Sequence, residues 1–503
     1  MKTTSSRESI LKDSLSQISS DNEQLRRLGY NVAFERSMGL WGNFSLGFTY
    51  LSPVVGVYTM FAISLAVGGP PMIWSYILVG IGQFLVCLVF CEVVSQYPIA
   101  GGIFPWARKL ANDQWAWMAG WIYMWALWTT IAAVAVGSGP YLLALFGITK
   151  GEAGAITLVA LGLIALVTFL NLSGTRVLAY VALAGFIAEL TGALAVGSYL
   201  LIFERSQPLG VVFDTFQIQI DGSYWPAFLA AALAGIFQYY GFEACGDVAE
   251  EVPNPSRQIP KAMRMTIYIG GAAAIFTCFA LLLAVPNISK VIAGTDTDPI
   301  QSVLTRAFGP VGAQLVILVI GISFLSCALS LQAAASRLLF AFARNQMIFG
   351  HPAFAAISPR SKVPSAALIA CGALPMFIAV VGYLKADALT TIISFAAIGI
   401  YLAFQMIVVA ALAARWRGWI PSGSFTLGRW GTPVTVAALV YGVLAIINIG
   451  WPRTPEAPWF IDYAVIFSTV IVVAAGLAYL LTAKPTALRA SLVKDTRASE
   501  VLS

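Results

Sequence analysis

The sequence predicts an all-α integral membrane protein with twelve transmembrane helices. The chain has 503 residues, of which 59% are hydrophobic and only 10% are charged. A soluble domain carries about 25% charged residues, so this chain has too few charges to cover a water-exposed surface of its size. Twelve apolar stretches reach the roughly 20 residues that a helix needs to cross a bilayer.

The predicted spans are separated by polar loops, and Gly and Pro residues end most of them. They cover residues 43–68, 72–97, 115–146, 153–172, 177–203, 225–251, 263–285, 310–342, 365–384, 387–414, 433–451 and 461–483. The polar residues before the first span, Met1 to Phe34, lack the layout of a signal peptide and are predicted to form a disordered tail.

The basic residues predict the orientation of the chain. If both termini lie in the cytoplasm, only six of the 29 Lys and Arg residues fall outside, and 23 fall inside. The six are Lys150, Arg205, Lys290, Arg306, Lys385 and Arg453. Cytoplasmic loops of membrane proteins are enriched in Lys and Arg, so we expect an even number of spans with both ends inside.

Two spans carry helix-breaking residues at mid-membrane. The first contains Pro53 and Gly56, and the sixth contains Gly241 close to two acids. Interruptions at corresponding places in two halves of a chain are typical of inverted-repeat transporters. Broken main chain at that depth needs a cavity, a ligand or an ion to satisfy it. A simple proline kink is the alternative for the first span.

The acids within predicted spans that favour a functional role are Glu189 in the fifth, and Glu243 and Asp247 in the sixth, whereas Glu92 near the inner end of the second is interpreted as structural. A carboxylate at the centre of a membrane helix costs about 2.5–3.5 kcal/mol, so we expect each to be protonated, paired or in contact with water. Structural hydrogen bonding is the alternative to a functional role. The nearby aromatic residues favour binding of an ammonium group, and a position facing lipid or the membrane interface is the alternative; they are Tyr58, Trp125, Trp128, Phe237, Tyr239 and Tyr240.

Three motifs follow one another along the chain. The first follows span two, where Tyr97-Pro98 precedes Gly101-Gly102 and Trp106. The second begins at Gly241-Phe242-Glu243 and continues through Ala249-Glu250-Glu251 to Asn254-Pro255 and Arg257. The third contains Ser336-Arg337 and Ala343-Arg344 at the end of span eight. Together they resemble the motifs of the amino acid–polyamine–organocation permeases, most closely the amino acid/choline transporter branch, and the resemblance extends over residues 38–480.

This resemblance implies a leucine-transporter-like fold with a five-plus-five inverted repeat and two further helices. Residues 38–203 would form the first repeat, 204–224 an extracellular loop, 225–414 the second repeat and 415–483 the last two helices. Residues 1–37 and 484–503 would form cytoplasmic tails.

The resemblance also implies a substrate held between the two breaks. The substrate-binding positions would be Ser52, Pro53, Val54, Val55, Gly56, Phe237, Gln238, Tyr239, Tyr240 and Gly241. The main-chain amides of residues 52–56 would bind a carboxylate, and the carbonyls of residues 237–240 an amine. Coupling or gating would fall to Glu243, Asp247, Glu189 and Ser330. Phe237 matches an aromatic gate, and Glu243 matches a proton-sensing glutamate.

The predicted function is therefore secondary active transport of an amino acid or related amine by alternating access. Proton coupling or exchange is favoured over sodium, because Leu331 stands where sodium-coupled relatives have a hydroxyl after Ser330. The first break reads Val54-Val55-Gly56 where the family usually has Gly-Ser-Gly, which leaves room for GABA, choline, betaine or a polyamine. The competing interpretations are a non-transporting nutrient sensor, a membrane enzyme and a channel.

No cofactor, metal or nucleic-acid partner is predicted, and the chain carries no motif of a hydrolase, metalloprotease or nucleotide-binding enzyme. The single histidine, His351, lies in a polar loop, and all six cysteines lie in apolar stretches. We expect the protein in a bacterial inner membrane or a eukaryotic plasma membrane, with the bilayer and a small amine as its partners.

Overall fold

The computed structural model describes residues 16–148, 151–220, 222–384, 386–454 and 456–485, with the main chain alone at 386–394. The first 15 residues of the predicted N-terminal tail and residues 486–503 of the predicted C-terminal tail lie outside this range, as do Lys150 and Lys385.

The described chain is a bundle of α-helices, and each begins or ends close to the predicted apolar limits. In chain order they are α1 (Leu40–Leu51), α2 (Pro53–Gly68), α3 (Ile73–Gln96), α4 (Asp113–Ala144), α5 (Ala153–Leu172), α6 (Thr175–Phe203), α7 (Trp225–Gln238), α8 (Pro255–Ala284), α9 (Pro299–Arg344), α10 (Ser365–Leu384), α11 (Ala386–Trp416), α12 (Gly431–Gly450) and α13 (Ala464–Ala483). Helix α9 turns at Gly309, which has φ 64°.

Eleven of these segments in the described chain are long and apolar enough to cross a membrane, counting α1 and α2 together. The predicted all-α membrane class is confirmed. The sixth predicted span differs, because α7 is shorter than the roughly 20 residues that a bilayer requires and an irregular segment follows it. The count of twelve spans remains a prediction.

The bundle is apolar outside and partly polar inside, as expected of a protein that lipid surrounds. On α3, the side chains of Leu78 and Ile81 are 58% and 60% exposed, while Glu92 on the same helix is buried. The acids of the predicted site, Glu189 and Glu243, are completely buried. Ionisable side chains in membrane helices face the bundle interior in this way because lipid cannot solvate them.

We call one end of the bundle the inner face, since the sequence predicts it to be cytoplasmic. It consists of residues 97–112, 248–254, 345–364 and 417–430. Hydrogen bonds join these loops: Arg108 donates to the Asn345 side chain at 2.7 Å, and Arg417 donates to the main-chain oxygen of Leu110 at 2.7 Å.

The N-terminal segment packs on the inner face, so the prediction of a disordered tail is wrong for residues 16–34. Residues 16–27 are helical. Asp21 accepts a hydrogen bond from the Asn254 amide at 2.7 Å, and Arg36 donates to the Val252 oxygen at 2.8 Å. Burial lowers the pKa of the Arg36 guanidinium, although the nearby carboxylates of Asp21 and Glu250 act to raise it. The polar composition of this segment predicted disorder. Composition alone does not show that the inner face supplies hydrogen-bond partners for these polar groups.

Candidate functional site

The first predicted break is present at Ser52, between α1 and α2. Ser52 has φ 39° and ψ 91°, and its amide donates to the oxygen of Phe48, which completes α1. Pro53 then begins α2, a position where its missing N–H costs nothing. The Ser52 hydroxyl caps α2 by accepting from the Val55 amide at 3.1 Å. The chain therefore changes from one helix to the next at a single residue.

Two buried side chains from other helices satisfy the main chain of the first break. Glu189 of α6 accepts from the Ser52 hydroxyl at 2.6 Å and from the Val54 amide at 2.9 Å. The side-chain amide of Gln238 donates to the oxygens of Leu51 and Ser52 at 3.0 and 3.3 Å. The sequence predicts that a bound guest satisfies these groups, but in this structure protein side chains already do so.

The second break covers residues 239–243, between the end of α7 and the short helix Ala244–Asp247. Gly241 has φ 115°, and its amide donates to the Glu243 side chain at 2.7 Å rather than to a helical carbonyl. A Cβ atom on Gly241 would lie 2.6 Å from the Leu51 nitrogen. Only glycine tolerates this backbone conformation easily, and its small size lets the two breaks touch.

Glu243 is completely buried at the junction of the second break and α4. Its carboxylate accepts from the Tyr123 hydroxyl at 3.0 Å in addition to the Gly241 amide. Asp247 follows one turn later, also completely buried, and neither of its carboxylate oxygens has a hydrogen-bond partner among the described residues. The two acids form a buried pair that begins at the break and points towards the inner face.

A small cavity lies between the two breaks. Its volume is about 10 Å³, close to the minimum that admits one water molecule. The hydroxyls of Tyr50 and Tyr240 are buried without a hydrogen-bond partner among the described residues. The residues that line the cavity are Tyr50, Leu51, Val55, Gly56, Thr130, Val134, Phe237, Tyr240, Cys327 and Leu331.

The structure divides the predicted binding residues into three groups. Four of them line the cavity, namely Val55, Gly56, Phe237 and Tyr240. Five others form the breaks or their hydrogen bonds, namely Ser52, Pro53, Val54, Gln238 and Gly241. Tyr239 lies apart from the cavity, with its hydroxyl 3.5 Å from the Gly271 oxygen of α8. Consecutive residues of an irregular segment point in different directions, so Tyr239 and Tyr240 have different neighbours.

Ser330 of α9 lies beside the first break but is already paired. Its hydroxyl is 2.8 Å from that of Thr49, and both residues are buried. Its side chain bonds only to another hydroxyl, whereas Glu189 and Glu243 also accept hydrogen bonds from main-chain amides. Within the described residues, no group of three or more His, Cys, Asp or Glu is arranged to hold a metal ion.

The sequence predicted Trp125 and Trp128 of span three and Ser330 of span eight near the site, but the residues of these spans that line the cavity are different ones. Thr130 and Val134 are four residues apart on α4, and Cys327 and Leu331 are four apart on α9, so each pair lies on one helical face. Both helices are buried on most sides. A helix that is apolar all round carries no periodic signal that distinguishes the face towards a cavity.

The remaining motif residues close the inner face. Arg337 donates both ends of its guanidinium to Glu251 at 2.8 and 2.9 Å, and both side chains are completely buried. Thr175 donates to the same carboxylate. Arg344 lies 2.7 Å from Glu250 in a second ion pair. The Glu250-Glu251 and Ser336-Arg337 motifs therefore join α9 to the segment that follows the second break.

Comparison with known proteins finds a matching family model and several similar sequences. A family model described as amino acid permease matches residues 38–475, a region that contains both breaks. The chain is 25% identical over 406 residues to a putative amino acid/polyamine transporter of Macrophomina phaseolina, covering 76% of this chain and 88% of that protein.

Two further relatives cover more of the chain at lower identity. An amino-acid permease of Arabidopsis thaliana is 23% identical over 464 residues, which are 86% of this chain and 89% of the relative. A polyamine transporter of Saccharomyces cerevisiae is 21% identical over 483 residues, which are 91% of this chain and 78% of the relative.

Proposed function

This chain belongs to the amino acid permease family, and we propose that it carries an amino acid or a related amine across a membrane by alternating access. The observation that carries this proposal is the meeting of two broken helices at a small cavity. The family assignment agrees with the resemblance in the motifs, and the relatives are named as amino acid or polyamine carriers.

The size of the cavity supports a cycle in which helices move. At about 10 Å³ it is far too small for an amino acid, so a solute binds only after the surrounding helices separate. On the inner face, the ion pairs of Glu250 and Glu251 with α9 hold the closed arrangement. Release towards that face requires these pairs to part, while opening towards the other face leaves them intact. Alternating access follows if only one side opens at a time.

We propose that protons or solute exchange drive transport, with Glu243 as the protonation site. Glu243 bonds to the amide of the second break and to Tyr123 of α4, so a change in its charge alters contacts between the break and a neighbouring helix. Asp247 extends the acidic pair towards the inner face. Leu331, which follows Ser330, has no hydroxyl, so this part of α9 offers one side-chain oxygen where a sodium site of this kind needs two, and we favour a proton over sodium.

Uptake by the purified full-length chain in proteoliposomes tests the proposal. Labelled amino acids and amines are offered with an imposed proton gradient, an imposed sodium gradient or preloaded solute. We expect saturable uptake that a proton gradient or internal solute accelerates and that sodium leaves unchanged. Protein-free vesicles are the control. Binding without uptake for every solute contradicts a transporter and favours the nutrient sensor. Sodium-dependent uptake contradicts the coupling alone.

A further inference from the structure

Resting on the proposed function, we infer that the solute is an amine cation without a carboxylate beside its amine, such as an aliphatic diamine or polyamine. The inference comes from the position of Glu189, whose carboxylate occupies the place where a substrate carboxylate would bind. It narrows the proposed range of amino acids and amines to one chemical class.

The N-terminus of α2 has no free amide for a substrate anion. Half-helix N-termini in broken transporter helices bind anionic groups of substrates. Here the Val54 amide donates to Glu189 at 2.9 Å, the Val55 amide to the Ser52 hydroxyl at 3.1 Å, and the Gly56 amide to the Ser52 oxygen at 3.0 Å. The chain therefore supplies its own carboxyl group to this helix end.

Glu189 is fixed in this position, but only one of its two carboxyl oxygens accepts hydrogen bonds. Its Oε1 atom accepts from Ser52 and Val54, while Oε2 is buried and has no hydrogen-bond partner among the described residues. The nearby Gln238 presents a second unpartnered oxygen, Oε1, next to Gly56. Buried acceptors without donors are costly. An ammonium group, which brings three donors and no acceptor, complements acceptors of this kind.

The buried ionisable residues near the cavity are mostly acidic, which also favours a cation. Glu189, Glu243 and Asp247 are all completely buried close to the breaks. The residues that line the cavity in the described chain include no Lys, Arg or His, and the three acids lie beside that lining rather than in it. The one completely buried Arg among the described residues, Arg337, is bonded at both ends to Glu251. No basic side chain at the cavity is thus available to bind a substrate carboxylate.

The walls of the cavity favour a cation as well. Phe237 and Tyr240 pack edge to face with ring centroids 5.6 Å apart, and Tyr50 packs against Tyr240 at 6.1 Å. Aromatic faces attract ammonium groups. A solute with its own carboxylate would bring that group towards Glu189, and like charges placed together at a desolvated site oppose binding strongly. A diamine avoids this repulsion.

Two solutes that differ only in the carboxylate test the inference. Lysine and cadaverine have the same carbon chain and two amines, but only lysine carries a carboxylate. We expect the full-length chain in proteoliposomes to take up labelled cadaverine with a kcat/KM at least about tenfold above that for lysine. Putrescine and ornithine form a second matched pair, for which the same preference is expected.

The Glu189→Gln variant links this preference to one side chain. Its amide oxygen still accepts from Ser52 and Val54, but the charge is gone, so we expect the cadaverine-to-lysine ratio to fall at least about tenfold. Glu152→Gln is the matched control, because Glu152 is exposed and its side chain does not cap α5. That variant should keep the wild-type ratio.

The outcomes separate this inference from the proposed function. If the wild-type chain transports lysine as well as or better than cadaverine, the inference is wrong and the transporter stands. If Glu189→Gln lowers uptake of both solutes without changing their ratio, Glu189 is a structural cap and the inference is also wrong. If no amine or amino acid is transported at all, the proposed function fails, and the inference fails with it. The wild-type comparison remains decisive even if the variant does not fold.

Discussion

At the scale of single residues, Glu243 combines burial with two hydrogen bonds that depend on its protonation state. It accepts from the Gly241 amide and the Tyr123 hydroxyl, and Asp247 lies one turn away. A proton that binds Glu243 removes a charge from this cluster and weakens its contacts with both donors. The second break would then be free to move relative to α4.

The Glu243→Gln variant tests this role in coupling. Glutamine fits the same space and still accepts hydrogen bonds, but it cannot exchange a proton. We expect the variant to lose uptake or to keep uptake that no longer varies with pH between mildly acidic and neutral conditions. Initial uptake rates in proteoliposomes measure the effect, with Glu152→Gln as the control. An unchanged pH profile in Glu243→Gln would exclude a protonation role for Glu243.

The buried pair of Arg337 and Glu251 sets the stability of the inner face. Removing one member of such a pair leaves an uncompensated buried charge, at a cost of about 3–5 kcal/mol. We therefore expect Arg337→Met to lower the thermal unfolding temperature in detergent strongly. The double variant Arg337→Met/Glu251→Gln should recover much of the loss, since no lone charge remains.

The exposed pair of Arg27 and Glu23 supplies the control for this prediction. Its side chains are 76% and 62% exposed, and surface pairs contribute about 0–1 kcal/mol. Arg27→Met should leave the unfolding temperature nearly unchanged. If the double variant at Arg337 and Glu251 is less stable than Arg337→Met alone, the uncompensated charge is not the cause of the destabilisation.

At the scale of helices, the contact between the two breaks depends on Gly241. Alanine there would place a Cβ atom 2.6 Å from the Leu51 nitrogen and strain a backbone with φ 115°. Strained backbone of this kind costs about 1–3 kcal/mol before any steric overlap is counted. We expect Gly241→Ala to abolish uptake and to lower the unfolding temperature.

Gly162→Ala is the matched glycine variant. Gly162 is exposed within α5, and a Cβ atom there would meet nothing within 4 Å. Alanine is also the better helix former, so uptake and stability should equal or exceed those of the wild type. Normal uptake by Gly241→Ala would show that close contact between the breaks is unnecessary.

The helices also show what the sequence can and cannot predict. The predicted limits of spans four and nine, 153–172 and 365–384, coincide with α5 and α10, because apolar composition records contact with lipid directly. Span six was predicted to run to residue 251, but α7 ends at Gln238. Hydropathy averages over the apolar residues on both sides of a break and does not record main-chain conformation. Glycine and acidic residues marked the position of that break, but not its length.

At the scale of the whole molecule, the site could be predicted only where residue types are unusual for a membrane. Val55, Gly56, Phe237 and Tyr240 were predicted at the cavity, because Pro, Gly and acids marked the two breaks and the family resemblance implied a substrate between them. Thr130 and Cys327 were not, because they lie on helices buried almost all round. The packing of the N-terminal segment was missed for a related reason: its partners come from distant loops, and composition does not record them.

In the whole molecule, the cavity between the breaks holds only about 10 Å³, and buried ion pairs join the inner face. A transporter with this structure must open the cavity to water during each cycle. Cys327 lines the cavity and is buried, as is Cys278, which lies on α8 and is not among the lining residues. These two native thiols report separately on opening of the site and on general loosening of the bundle.

The most direct test of alternating access at this cavity is the rate at which a membrane-permeant thiol reagent modifies Cys327 in proteoliposomes. The modified positions are identified by mass spectrometry, with and without a saturating transported solute. We expect Cys327 to react in the absence of solute and to be protected by it at the concentrations that saturate uptake, while Cys278 remains unmodified. A Cys327 rate that the transported solute leaves unchanged would contradict binding of the solute between the two breaks.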